Sequence, residues 1–174
     1  MIARISIITV LFYSLLMQGC ASNPSAGEAA AKQAANSVLT TGRSVNKIVV
    51  SLDDSLELDR KEAATKYSLT ERVKNDLQDV LQGKGVFDSS AEGITVNINV
   101  SAFRLRSGVT AMLAGVLAGA DILAVNVEAE SNGSQLKNFK TNTSTALGGF
   151  GMPAPSQRIN RMSKALAKRI AKQL

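Results

Sequence analysis

The chain has no histidine, no tryptophan and one cysteine, and aromatic residues make up only 4% of it. Each absence removes a class of chemistry. Without histidine there is neither the commonest general base, nor the usual partner of a nucleophilic serine, nor the commonest metal ligand. A single cysteine excludes an intrachain disulfide and a cysteine-rich zinc site. With so few aromatics, the core has to be built from Val, Ile, Leu and Ala. No apolar run reaches the roughly 20 residues that a membrane-spanning helix needs.

What remains suits one modest domain with targeting and tether segments, since 174 residues are 45% hydrophobic and 20% charged. The formal charge is +6, and Arg4 is the only charged side chain in residues 1–19, so a chain cut there keeps +5. The excess is modest and lies towards the C-terminus. It favours anionic surfaces in general and does not specify nucleic acid.

Residues 1–19 read as a signal peptide, with Cys20 opening the mature chain. Arg4 and the amino terminus supply positive charge, and Ile5 to Met17 is apolar with only Ser6, Thr9 and Ser14 interrupting it. That length fits a signal sequence and is too short to span. The run ends in Leu15-Leu16-Met17-Gln18-Gly19-Cys20, which resembles the lipobox of bacterial lipoprotein precursors. The resemblance implies cleavage between Gly19 and Cys20, with S-diacylglycerol on the Cys20 thiol and an acyl chain on its new amino group. Each buried methylene contributes about 0.8 kcal/mol, so such a multi-chain anchor is effectively permanent. Met17 and Gln18 depart from the commonest lipobox residues, whereas Gly19-Cys20 follow them. Ala21 and Ser22, with no Asp, resemble the outer-membrane class, which implies a domain anchored there and facing the periplasm.

Residues 20–46, rich in Ala, Ser, Asn and Gly, read as a tether, and 47–174 as a single domain. Lys47-Ile48-Val49-Val50-Ser51-Leu52 is a β-branched run and predicts a first strand. Asp53, Asp54, Glu57 and Asp59 then read as a solvated strand end rather than a metal site. Ser68-Leu69-Thr70-Glu71 fits a capping box, Leu69, Val73, Leu77 and Val80/Leu81 repeat at helical spacing, and Gly83 and Gly85 stop the helix. Ile94 to Ala102 alternates apolar with Thr, Asn and Ser, as a half-buried antiparallel strand does. Leu123 to Ala129 alternates likewise. Asn132-Gly133 suits a type I′ turn, with a return strand near Leu136–Thr143. Leu147 to Pro155 reads as a loop. Ile159, Met162, Leu166, Ile170 and Leu174 line one face of a last helix, beside a stripe of Arg161, Lys164, Lys168 and Lys172 with Arg158 and Arg169 near it. The expected fold is an α+β two-layer sandwich: a mainly antiparallel sheet of about four strands with two amphipathic helices on one face.

Phe103-Arg104, Gly108, Gly115, Gly119-Ala120-Asp121, the strand Ile122 to Glu130, the Gly133 turn, the loop Gly148-Gly149-Phe150-Gly151 and the final helix together resemble a family of small bacterial lipoproteins, the one called domain of unknown function 4410. The likeness covers about residues 47–174, and Ser131-Asn132 replaces the acidic residue common at that family's hairpin. The resemblance implies a compartment and a fold. It carries no catalytic residues over.

Between Arg106 and Asp121 the chain is apolar and small. Within 108–120, Ala111, Gly115 and Gly119 recur every four residues. This small-xxx-small spacing lets helices approach closely, so these three are the candidate interaction residues for homo-oligomerisation or for dipping into the membrane. The alternative is a connection between strands whose glycines serve turns or close packing. The basic stripe of the last helix is expected to be an ordinary solvated face. Residues 148–151 lack the Lys and Ser/Thr of a phosphate loop. No pair of Asp, Glu, Lys, Tyr or Ser stands out as acid, base or nucleophile. The expectation is therefore a non-enzymatic envelope lipoprotein, without metal or cofactor beyond its lipid. Its expected partners are the membrane and another envelope protein or a second copy, and neither nucleic acid nor a small-molecule substrate is expected.

Overall fold

The structure, a computed structural model, describes Leu39 and residues 42–90, 92–106, 119–145 and 153–174, all within the compact unit Asn36–Leu174. It is an α+β fold with one open sheet of order β1-β2-β3-β4. The strands are β1 (Val45–Leu52), β2 (Ile94–Arg104), β3 (Asp121–Ser131) and β4 (Ser134–Thr145), and the helices are α1 (Leu58–Lys66), α2 (Leu69–Gly83) and α3 (Pro155–Gln173).

The alternation seen in the sequence becomes two faces. Ile94, Val96, Ile98 and Val100 of β2, and Leu123, Val125, Val127 and Ala129 of β3, are buried beneath the helices. Between them lie the half-exposed Thr95, Asn97, Asn99, Asn126 and Glu128 of the other face. Both pairings are antiparallel on the β3 side, while β1 runs parallel to β2. A parallel neighbour needs a crossover, and α1 and α2 supply it. The hairpin turns as Asn132-Gly133 predicts, with φ of 52° and 74°, the two positive values of a type I′ turn.

Helix α2 buries Leu69, Val73, Leu77 and Leu81, one residue per turn. Full burial of each such side chain is worth about 1.5–3 kcal/mol. Its end is a Schellman motif: the Val86 N–H donates to the Leu81 carbonyl and the Gly85 N–H to the Gln82 carbonyl, with Gly85 at φ +69°. Its start departs from expectation. Ser68 has φ 49° and ψ 47°, and its side chain makes no capping bond. The residue closes the turn between α1 and α2, donating its N–H to the Thr65 carbonyl. A left-handed backbone does not aim the hydroxyl at the exposed amides as an extended cap residue does.

Helix α1 was not expected, because Leu58 is 72% exposed and Ala64 is its one buried residue. Lacking an apolar stripe, it leaves no periodic signal. The acidic run is distributed over its approach: Asp53 caps a turn, Glu57 precedes the helix and Asp59 lies in its first turn. β1 begins two residues earlier than its β-branched run, because Val45 is fully buried and bridges to the segment at Phe87.

Candidate functional site

The described residues concentrate their buried charge at one end of the sheet. Asp121, at the start of β3, is 0% exposed; Arg158, in the first turns of α3, is 1% exposed, and Arg106, just past β2, is also buried. The Asp121 carboxylate accepts the Arg106 backbone N–H at 2.9 Å and lies 3.1 Å from Nη1 of Arg158 and 3.5 Å from Nε of Arg106. Arg158 also donates Nη2 to the Arg106 carbonyl at 2.8 Å. One carboxylate thus meets two guanidiniums away from water. Such a group costs several kcal/mol to desolvate unless held by several partners, and here those partners come from the segment after β2 and from α3.

The neighbouring strand ends are tied as well. Arg104 donates Nε and Nη2 to the Ala120 carbonyl at 3.1 and 2.8 Å. Gly119 lies beneath that guanidinium with φ +79°, and a Cβ there would stand 2.8 Å from Arg104 Nη2. This φ lies outside the right-handed helical region, so Gly119 itself is not a residue of a right-handed helix. Ala111 and Gly115, the other members of the four-residue series, and Gly19 and Cys20 all lie outside the described residues. So do Gly148, Gly149, Phe150 and Gly151 of the glycine loop.

Two further sequence-level candidates resolve differently. Arg161, Lys164, Lys168 and Lys172 are exposed on α3, the solvated face expected for them. Arg158 does not belong beside them, because its position on the helix turns it under the sheet end to meet Asp121. Asp53 is a turn residue: its carboxylate accepts from the Ser55 hydroxyl at 2.6 Å, the Ser55 N–H at 2.9 Å and Asn99 Nδ2 at 2.8 Å. These bonds, the Ser55 hydroxyl foremost, hold its pKa below the ordinary aspartate value, with Lys61 helping and desolvation opposing.

The sheet face opposite α2 and α3 carries a shallow polar groove of about 350 Å³, lined by Val49, Ser51, Asn97, Asn99, Asn126, Glu128 and Asn138 among others. Asn97 donates Nδ2 to Glu130 at 3.0 Å across β2 and β3. The alternation of Ile94–Ala102 marks Asn97 and Asn99 as a solvated half, and the pairing of β2, β3 and β4 adds Asn126 and Asn138 to the same face. Among the described residues no group of three or more His, Cys, Asp or Glu is placed to hold a metal ion. No described helix is long and apolar enough to cross a membrane.

Neither a family model nor a curated protein matches the chain. Solved structures overlap it in part. A PelC dodecamer from Paraburkholderia phytofirmans is similar with a TM-score of 0.45 at 12% identity, over 75% of this chain and 89% of that one. A minor lipoprotein from Acinetobacter baumannii is similar at 0.43 and 13%, over 74% and 89%. The rare lipoprotein B from Shewanella oneidensis is similar at 0.39 and 15%, over 72% and 90%.

Proposed function

We propose that this chain is a lipid-anchored lipoprotein of the bacterial envelope, tethered through Cys20 to the outer membrane. Its periplasm-facing α+β domain, residues 47–174 with the β1 start at Val45 added, binds or helps assemble another envelope component without catalysing a reaction. The observation that carries this reading is the place of the one cysteine: it follows Gly19 at the end of the apolar run Ile5–Met17 and opens an Ala- and Ser-rich stretch. The domain's own groups fit a binding role. Its buried carboxylate is committed to two arginines, and its open sheet face presents the amides of Asn97, Asn99, Asn126 and Asn138 beside Ser51 and Glu128.

The test is Cys20→Ser in cells fed labelled fatty acid. Lipid labelling should vanish and the protein should leave the membrane fraction. Wild-type protein that takes up no label, with the variant still cut after Gly19, would overturn the anchor.

A second reading makes the segment 108–120 an assembly element, on the four-residue spacing of Ala111, Gly115 and Gly119. Gly115→Leu separates the two readings. An oligomer held by that segment dissociates into an equally stable monomer. A fold-serving glycine instead loses about 1–3 kcal/mol as a lowered Tm at unchanged mass.

A further inference from the structure

The two edges of the sheet are finished differently. On β4, Arg169 donates to the Asn142 carbonyl, Gln173 donates Nε2 to Thr141 Oγ1 at 3.3 Å, and Lys137 donates to the Gln173 carbonyl. Lysines and a covering helix are the usual protection of an edge against strand addition. On β1 the backbone of the first residue is covered: the Val45 N–H donates to the Val86 carbonyl, and the Asp88 N–H donates to that of Val45. The register then shifts between Val45 and Lys47.

Among the described residues, the edge beyond that shift lies open. The Asp53 N–H donates to the Val100 carbonyl of β2 at 3.0 Å. Backbone groups alternate along a strand, so those of Ile48, Val50 and Leu52 point away from β2. None of the three has a further strand beside it among the described residues. A groove of about 370 Å³ runs there between β1 and Thr70, Glu71 and Lys74 of α2. The strand beside it, Lys47 to Leu52, carries one charge, and its Val49 is 39% exposed.

We infer that this edge pairs with the same edge of a second copy of the chain, antiparallel, about a two-fold axis at Val50. The strand is self-complementary in that register alone. Ile48 then faces Leu52 and Val50 faces its counterpart, so all three outward residues meet as hydrogen-bonded pairs. On the exposed sheet face Lys47 comes opposite Asp53, and Val49 opposite Ser51. Moving the axis to Val49 or Ser51 sets Lys47 against Ser51 or Ser55 and pairs only two of the three. Opposite charges facing each other across strands stabilise the pair, whereas like charges oppose it. The two four-stranded sheets become one continuous sheet, with the amide-rich face unbroken across the axis. This surface is separate from the segment 108–120 and does not depend on the lipid anchor.

The experiment uses the full chain in its own membranes with Val49→Cys and Ser51→Cys together, mildly oxidised and read on a non-reducing gel. Directly opposed residues have Cβ atoms about 4.5–5.5 Å apart, whereas Val49 and its own counterpart lie on a diagonal of about 7–8 Å. The double variant should therefore form a reducible dimer, and each single variant, like the unsubstituted chain with only Cys20, should form several-fold less. Lys47→Asp added to the pair should cut the yield several-fold, and Asp53→Lys added to that should restore it. Equal crosslinking by a single variant overturns the two-fold, as does its absence in a double variant with unchanged circular dichroism. A charge swap that keeps the native dichroism and fails to restore the dimer overturns the register.

Discussion

Asp121 is where a single side chain decides most. Its carboxylate offsets two buried guanidiniums, those of Arg106 and Arg158, and receives the Arg106 N–H. Removing it takes from both buried cations the carboxylate they share. Asp121→Ala should therefore cost about 3–5 kcal/mol in denaturant unfolding, well beyond a surface aspartate. Arg158→Met, which removes one of the two cations and keeps a long apolar stem, should cost less than Asp121→Ala. The reverse order would mean that Asp121 is not the centre of the cluster. Asp53 works in the opposite setting, in an exposed turn. Its depressed pKa means a contribution to stability that is present above the ordinary aspartate pKa and lost as pH falls through the folded-state value.

The elements follow local pattern closely where an apolar stripe exists. α2 and α3 each bury one stripe, and they pack against one another and on the sheet. β2 and β3 alternate without a break until the register shift near Val100 and Ala102. The start of α2 is the exception, since Ser68 sits in a left-handed conformation where no cap forms. That geometry fixes the sign of a substitution. Gly at a true N-cap serine costs a few tenths of a kcal/mol, whereas Gly at a left-handed residue relieves steric strain. Ser68→Gly should accordingly raise stability by about 0.5–1 kcal/mol in thermal or urea unfolding. A loss would restore the capping box.

At the scale of the whole molecule, the boundary of the folded domain is set by packing rather than by composition. The Leu39 N–H donates to the Leu174 carbonyl, Val45 is fully buried, and Val45 exchanges backbone bonds with Val86 and Asp88. A chain beginning at Lys47 loses all of these. It should be at least about 1.5–3 kcal/mol less stable than one beginning at Leu39, from the Val45 side chain alone. Equal melting temperatures for the two would place the boundary at Lys47 after all.

What the sequence determined by itself is what nearest neighbours along the chain encode. Alternation at Ile94–Ala102 and Leu123–Ala129 marks one buried face per strand, Asn132-Gly133 marks the hairpin, and the spacing Leu69, Val73, Leu77 marks a helix. The export signal proposed around Cys20 rests on neighbours along the chain in the same local way. Only tertiary structure decided which face met which. The parallel pairing of β1 with β2, the approach of Gly93 to the Ser44 carbonyl and the meeting of Arg158 with Asp121 join segments far apart in the chain. Arg158 read as one more member of a basic stripe because a helical wheel shows which side of a helix differs, and not what lies across from it. Charge buried by pairing looks, in one dimension, like charge left in water, and the partner appears only once the chain has closed on itself.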